Sequence, residues 1–216
     1  APSLLLNFAN AAVTDTAGAQ NFVTASSATI TSASKYGSGA MTFNGSSDYL
    51  IIPSNSTLAF GTGNFTVECW LNPSSQTSGY GSFYGAGASG GLIFSVKGSG
   101  TPTSIAINAY GSADLISVAY AFSLNTWYHV AATRYNYTTR IFINGQLVGT
   151  ATDNINYSQT VMGIGAVGGG GQYYTGLIDD LRVTKGIARY QSDFAPPSRA
   201  LPETGGKSFV TRNVNA

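Results

Sequence analysis

Two adjacent carboxylates, Asp179 and Asp180, stand in the apolar run GLIDDLRVTKGIARY. Paired acids are how most glycosidases supply a proton donor and a nucleophile or base, and the two must lie about 5–10 Å apart across one bond. On an extended strand, neighbouring side chains project to opposite faces. Alternation sets Asp179 with Leu177, Leu181 and Val183, and Asp180 with Ile178 and Arg182, so the pair cannot act on one substrate. Asp179 is expected inward, where a carboxylate needs hydrogen bonds, a counter-charge or a metal. Hydrogen bonding to backbone or a hydroxyl is the first expectation and a calcium ligand the second. Asp180 is expected beside Arg182 as a surface pair of little energetic value.

Two enzyme-like matches crowd one glycine run. GAGASG (Gly85–Gly90) fits G-x-G-x-x-G, and GASGG (Gly87–Gly91) fits G-x-S-x-G, with Ser89, Asp114 and His129 in the α/β-hydrolase order. A dinucleotide loop leads into a helix, and a nucleophile elbow needs strand, turn and helix. Here GLIFSVK follows, which reads as a strand, so neither match is expected to carry chemistry. His129, the only histidine, shares a face with Trp127 and Ala131 and reads as a satisfied core or supporting residue. The single cysteine, Cys69, allows no intrachain disulfide and no Cys-built zinc site.

The elements that must position these residues are strands. Period-two alternation runs through NFTVECWL and TTRIFINGQLVGTAT, where Asn144-Gly145 marks a tight hairpin. Further strands are expected at SLLLNF, AMTFNG, DYLIIP, GLIFSVK, TSIAINAY, DLISVAY, TWYHVAATR, TVMGIGA and TGLIDDLRVT. One short helix is expected at GIARYQSDF. The reading is an all-β, two-sheet antiparallel sandwich over residues 1–199, with a Pro/Gly-rich C-terminal arm or linker over 200–216. Within that arm, LPETGG fits the sortase pattern Leu-Pro-x-Thr-Gly; KSFVTRNVNA supplies no membrane segment after it, so the match reads as a coincidence or a tag. Only 9% of the 216 residues are charged and the net charge is +1, against roughly 25% charged in an average domain. So neutral a chain has little repulsion to keep it dispersed, which points to an assembly or to a covering of glycans rather than to a concentrated cytosolic enzyme. The basic residues are scattered, which argues against nucleic acid, and no segment approaches the ~20 apolar residues of a membrane span.

In order and spacing, LLLNF, ASKYGSGAMTFNGSSDYLIIPSN, FGTGNFTVECWLNPSS, LNTWYHVAATR, RIFINGQLVG and GLIDDLRVTKGIARYQSDFAPPS resemble the laminin-G-like jelly-roll modules of the concanavalin A-like superfamily. The version found in bacteriophage virion and bacterial surface proteins is the most similar in flavour. The resemblance covers residues 3–199 and implies a β-sandwich jelly roll without fixing a function. Hydrolytic relatives carry Glu-x-Asp-x-Glu on one strand; FTVECWL offers only Glu68, flanked on its face by Thr66 and Trp70, so no enzyme is expected. The family's rim calcium implies a site at Asp15 in TDTAGAQN together with Asp179.

Binding is expected from aromatics in Gly-rich loops: Tyr80, Phe83 and Tyr84 in GYGSFYGAG, Tyr135 and Tyr137 in RYNYTT, Tyr173 and Tyr174 in GGGGQYYTG. Aromatic faces beside amides suit sugar rings and suit protein contact equally. The expected function is a non-catalytic surface-contact module. A phage virion decoration or appendage protein comes first, joined to other virion or cell-surface proteins through the arm and edge loops, multimeric, with glycan recognition by other loops. A free-standing carbohydrate-binding adhesion module is the alternative, and a degenerate glycoside hydrolase-like domain the third. The expected location is the virion surface or the extracellular space.

Overall fold

Short apolar runs bounded by Gly, Asn and Ser pair side by side because no run has the 3.6-residue period of a helix. A computed structural model describes residues 2–6, 8, 23–25, 28–77 and 79–202. The strands are β1 (Leu4–Leu6), β2 (Val23–Ala25), β3 (Thr29–Thr31), β4 (Ala40–Asn44), β5 (Tyr49–Ile52), β6 (Phe65–Pro73), β7 (Tyr80–Gly85) and β8 (Leu92–Lys97). They continue as β9 (Ser104–Ala109), β10 (Asp114–Ala119), β11 (Tyr128–Tyr135), β12 (Thr138–Ile143), β13 (Gln146–Thr152), β14 (Met162–Ile164) and β15 (Thr175–Lys185). An eight-stranded sheet runs β13-β12-β11-β6-β15-β4-β3, with β1 also on β15; a seven-stranded sheet runs β10-β9-β8-β7-β14-β5-β2.

The sheets stack face to face around one core. Val67, Cys69 and Leu71 of β6, with Val130 and Ala132 of β11, share it with Leu92, Phe94 and Val96 of β8 and with Ile105 and Ile107 of β9. Each such large apolar side chain contributes about 1.5–3 kcal/mol relative to exposure. Asn144 and Gly145 both have positive φ (49° and 80°), as a two-residue primed turn requires, and they close the expected hairpin between β12 and β13.

Two β-bulges interrupt the alternation. On β7, Ser82 pairs with Ser95 but Tyr84 pairs with Phe94, so one residue is extra. On β15, Asp179 pairs with Trp70 and Arg182 with Glu68, again with one residue extra; Asp180 there takes φ 47°, a left-handed conformation that Asp tolerates better than most residues. Three expectations change. GYGSFYG is a strand rather than a loop. GIARYQSDF forms no helix: residues 186–202 are an irregular strap. The short strands β2 and β3 were not anticipated.

Candidate functional site

The face of each sheet that points away from the core is a separate surface. On the eight-stranded sheet, alternation along β6 sends Thr66, Glu68 and Trp70 outward. The strap covers them. Thr66 donates through Oγ1 to Ile187 O and Thr133 to Tyr190 O, Tyr36 Oη donates to Pro197 O, and the Phe194 N–H donates to Gly145 O. Tyr190 and Phe194 stack at 3.6 Å, nearly parallel, and both meet Phe142 and His129 edge-on.

Beneath the strap Glu68 is fully buried. Its Oε1 accepts from Nε and Nη2 of Arg182 at 2.8 and 2.7 Å; its Oε2 accepts from Tyr190 Oη at 2.8 Å and lies 3.3 Å from His129 Nε2. Burial alone would raise the Glu68 pKa. The His129 hydrogen bond, the Arg182 charge and the Tyr190 hydroxyl outweigh it and hold the carboxyl below its ordinary value. Trp70 Nε1 and His129 Nδ1 are buried beside it without partners.

The β15 bulge corrects the account of the acidic pair. Asp179 accepts the N–H groups of Lys35, Tyr36 and Asp180 at 2.8–3.0 Å, the backbone bonding expected first. It does not point into the core with Leu181 and Val183, because the extra residue shifts the alternation. Asp180 is not a surface partner of Arg182: it is 1% exposed and accepts the Leu201 N–H at 2.9 Å. Burial, opposed by that amide and reinforced by Asp179, pushes Asp180 up to about 7. Asp15 lies outside the described residues, and among the described residues no three His, Cys, Asp or Glu side chains gather as a metal-ligand group.

The seven-stranded sheet is arranged differently. Outward residues along β8 are Ile93, Ser95 and Lys97; β9 adds Asn108 and β7 adds Tyr80 and Ser82. Lys97 Nζ lies 2.5 Å from Asp114 Oδ2, Tyr80 Oη donates to Asp114 Oδ1 at 3.4 Å, and the Lys97 ammonium stands 4.8 Å from the Tyr80 ring centre. The Asp114 hydrogen bond raises the Lys97 pKa. Asp114 is the register partner of Asn108, and Asn108 of Ile93. The Asn108 amide nitrogen donates to Ala109 O, which leaves Oδ1 buried and without a partner; Ser95 Oγ is in the same condition.

The Gly-rich loop after β14 walls this face. Gly168 N–H donates to Gly85 O at 2.9 Å, Ser82 N–H to Gln172 O and Ser82 Oγ to Gln172 Oε1, both at 2.8 Å. The loop lies so close that a Cβ on Gly163 would overlap the Ala166 carbonyl, and one on Gly87 the Gly168 carbonyl. Tyr173 follows, partly exposed, its ring 6.2 Å from that of Tyr49.

Of the expected contact aromatics, Tyr80 stands two residues before Ser82 on β7 and Tyr173 forms a backbone bridge with Ser82. Tyr135 and Tyr137 are 44% and 48% exposed at the distant β11–β12 turn. Phe83, Tyr84 and Tyr174 are corrections: all three are fully buried core residues. The β7 bulge turns both Phe83 and Tyr84 inward, and Tyr174 packs on Phe83 and Phe43. Ser89, Asp114 and His129 do not assemble, since Asp114 and His129 lie on different sheets. Sequence reasoning missed Ser95, Lys97 and Asn108 and gave Asp114 no binding role. One signal was available: Lys97 and Asp114 are the only Lys, Arg, Asp or Glu between Gly79 and Ala132.

A family model described as the concanavalin A-like lectin/glucanases superfamily matches residues 44–189. The chain belongs to that superfamily. No curated protein matches the sequence. Among solved structures, this superfamily member is similar to domain 4 of AbnA, a GH43 extracellular arabinanase from Geobacillus stearothermophilus, in complex with arabinotriose. The TM-score is 0.66 at 19% identity, over 87% of this chain and 93% of that one. It is similar to the botulinum neurotoxin serotype G binding domain, with TM-score 0.67 at 16% identity over 88% of this chain and 49% of that one. It also resembles the binding domain of botulinum neurotoxin DC in complex with SialylT, with TM-score 0.62 at 13% identity over 85% and 47%. The chain thus spans about half the length of the neurotoxin domains, and identities this low bear on fold alone.

Proposed function

We propose that this superfamily member is a non-catalytic glycan-binding module of a virion or cell surface, and that its contact face is the outer side of the seven-stranded sheet. The observation that carries this is the grouping there of unpaired polar atoms with a partly exposed ion pair and two aromatics. Ser95 Oγ and Asn108 Oδ1 stay unpaired beside Lys97, Asp114, Tyr80 and Tyr173, where native structures pair nearly all buried polar atoms. An aromatic flank beside converging polar groups is the usual composition of a small-ligand site. The arabinotriose complex of the arabinanase domain, on a similar sandwich, supports the same reading. Calcium at Asp15 and Asp179, multimeric assembly and docking through residues 200–216 remain parts of the proposal that concern the surroundings of the module rather than this face.

Glucanase chemistry would need open carboxylates, and Glu68 lies sealed under the strap. The test is a glycan array followed by titration of each hit. Tyr173→Ala and Tyr80→Ala are expected to weaken a genuine hit about tenfold, the size of effect of one lost well-formed contact. Hits unchanged in both variants would move the contact face elsewhere. Release of reducing sugar from any hit, lost in Glu68→Gln, would overturn the non-catalytic reading.

A further inference from the structure

We infer that the outer face of the seven-stranded sheet selects an uncharged, polyhydroxylated ligand, a neutral glycan whose hydroxyls donate to Asp114, Asn108 and Ser95. This deepens the glycan reading above and rests on it. Two independent features lead there, one of charge and one of hydrogen-bond polarity.

Charge is nearly absent from the strands of this sheet. The seven strands of the sheet contain no Lys, Arg, Asp or Glu except Lys97 and Asp114, and residues 154–178, which include β14 and the Gly-rich loop, contain none. The two charges neutralise one another at 2.5 Å. An incoming sialate, uronate or sulfate would find one cation, already engaged, with a carboxylate beside it. Accepting the anion would mean breaking the Lys97–Asp114 pair and leaving Asp114 against a like charge. An uncharged ligand meets no such cost.

The hydrogen-bonding groups are biased toward acceptance. An ionised carboxylate only accepts, through about four lone-pair positions; Lys97 and Tyr80 donate to Asp114, which leaves capacity for further donors. Asn108 gives one amide hydrogen to Ala109 O, and its Oδ1 is an acceptor without a partner, buried beside Asp114. Register pairing makes Asp114 and Asn108 neighbours across the β9–β10 ladder. Ser95 adds a hydroxyl on the same face, two residues along β8 from Ile93, the partner of Asn108. Two adjacent acceptors and a hydroxyl fit a ligand with donors on neighbouring carbons, which a sugar ring supplies. Tyr80, with the Lys97 ammonium over one side of its ring, and Tyr173, partly exposed beside Tyr49, are the aromatics that flank these groups. Lys97 is then a positioning residue: its ammonium holds the Asp114 side chain in place.

The experiment probes wild-type protein on an array carrying neutral glycans beside sialylated, uronate-containing and sulfated ones. Hits are then titrated with Asp114→Asn and Asn108→Ala, with thermal unfolding of each variant measured alongside. The expected result is hits confined to neutral glycans, weakened about tenfold or more in both variants at unchanged unfolding temperature. If Asp114→Asn fails to fold, Asn108→Ala decides alone. Acidic glycans bound by the wild type and lost in Lys97→Gln would overturn the neutral-ligand inference while leaving the glycan reading intact. Neutral hits indifferent to both variants would overturn the assignment to this face. An array with no hits at all would sink this inference and the glycan reading together.

Discussion

On the outer face of the eight-stranded sheet, Glu68 accepts two bonds from Arg182 and one from Tyr190, with His129 alongside, all beneath a strap stitched down from Ile187 to Leu201. On the outer face of the seven-stranded sheet, Lys97 and Asp114 form a pair whose side chains are 24% and 14% exposed, with unpaired acceptors next to them. Both surfaces begin from the same material, polar residues at alternate positions of buried strands. The difference is what covers them. Where chain is laid over the face, Glu68 is compensated by three side chains of its own protein; on the other face the ion pair keeps partial exposure, with Ser95 and Asn108 buried beside it.

The largest expected effect lies on the sealed face. Replacing one member of a buried ion pair leaves the other charged and uncompensated, at a cost of about 3–5 kcal/mol. Glu68→Gln strands the Arg182 guanidinium and weakens the Tyr190 and His129 bonds, so it is expected to lower unfolding free energy by that amount in urea titrations. Protein that remains folded should bind glycans with wild-type affinity, because Glu68 does not reach the other face. A Glu68→Gln protein of unchanged stability would show that the strap is loose and that the two faces are less different than described.

Most of the sandwich was legible because alternation is local. FTVECWL, GLIFSVK, TSIAINAY and TWYHVAATR each announce a strand, and Asn144-Gly145 announces a turn. What stayed hidden was wherever one residue breaks the period. The β7 bulge turned Phe83 and Tyr84 from expected contact residues into core. The β15 bulge took Asp179 off the inward set and Asp180 off the surface. A bulge is a pairing fact, set by the neighbouring strand, and leaves little trace in its own sequence. The strap was hidden for a related reason: its contacts with Thr66, Thr133 and Asp180 join residues far apart in sequence, whereas GIARYQSDF in isolation reads as a helical turn. Lys97 and Asp114, by contrast, could have been found from their isolation in an uncharged stretch.

An intermediate effect comes from Asp180, where the strap meets the sheet. Its Oδ1 has no partner, and burial raises its pKa from 3.8 to about 7. The folded state then binds this proton more tightly than the unfolded state does. The stabilising contribution is complete below the unfolded value and is lost as pH rises toward about 7. Asp180→Asn cannot ionise, keeps an acceptor for the Leu201 N–H and tolerates the left-handed backbone. Relative to wild type it should be more stable by roughly 1–3 kcal/mol at about pH 8, with the advantage vanishing near pH 4. A difference between variant and wild type that is flat across this range would mean that the strap opens to admit water at Asp180.

The smallest stability effect is expected at the partly exposed pair on the seven-stranded sheet, and it separates that pair from the one beneath the strap. Lys97 and Asp114 are partly exposed, so their attraction is screened and contributes about 0–1 kcal/mol. Lys97→Met keeps the aliphatic stem against the Tyr80 ring and removes the charge, leaving Asp114 able to draw water. Its unfolding free energy should fall by less than about 1 kcal/mol, several times less than for Glu68→Gln. A loss as large as that of Glu68→Gln would place Lys97–Asp114 among structural ion pairs like the one beneath the strap. The acceptors beside it would then be better explained as part of the framework than as a binding face. A small loss is what any partly exposed pair shows, so it separates Lys97–Asp114 from the structural pair beneath the strap and leaves ligand contact to the glycan titrations.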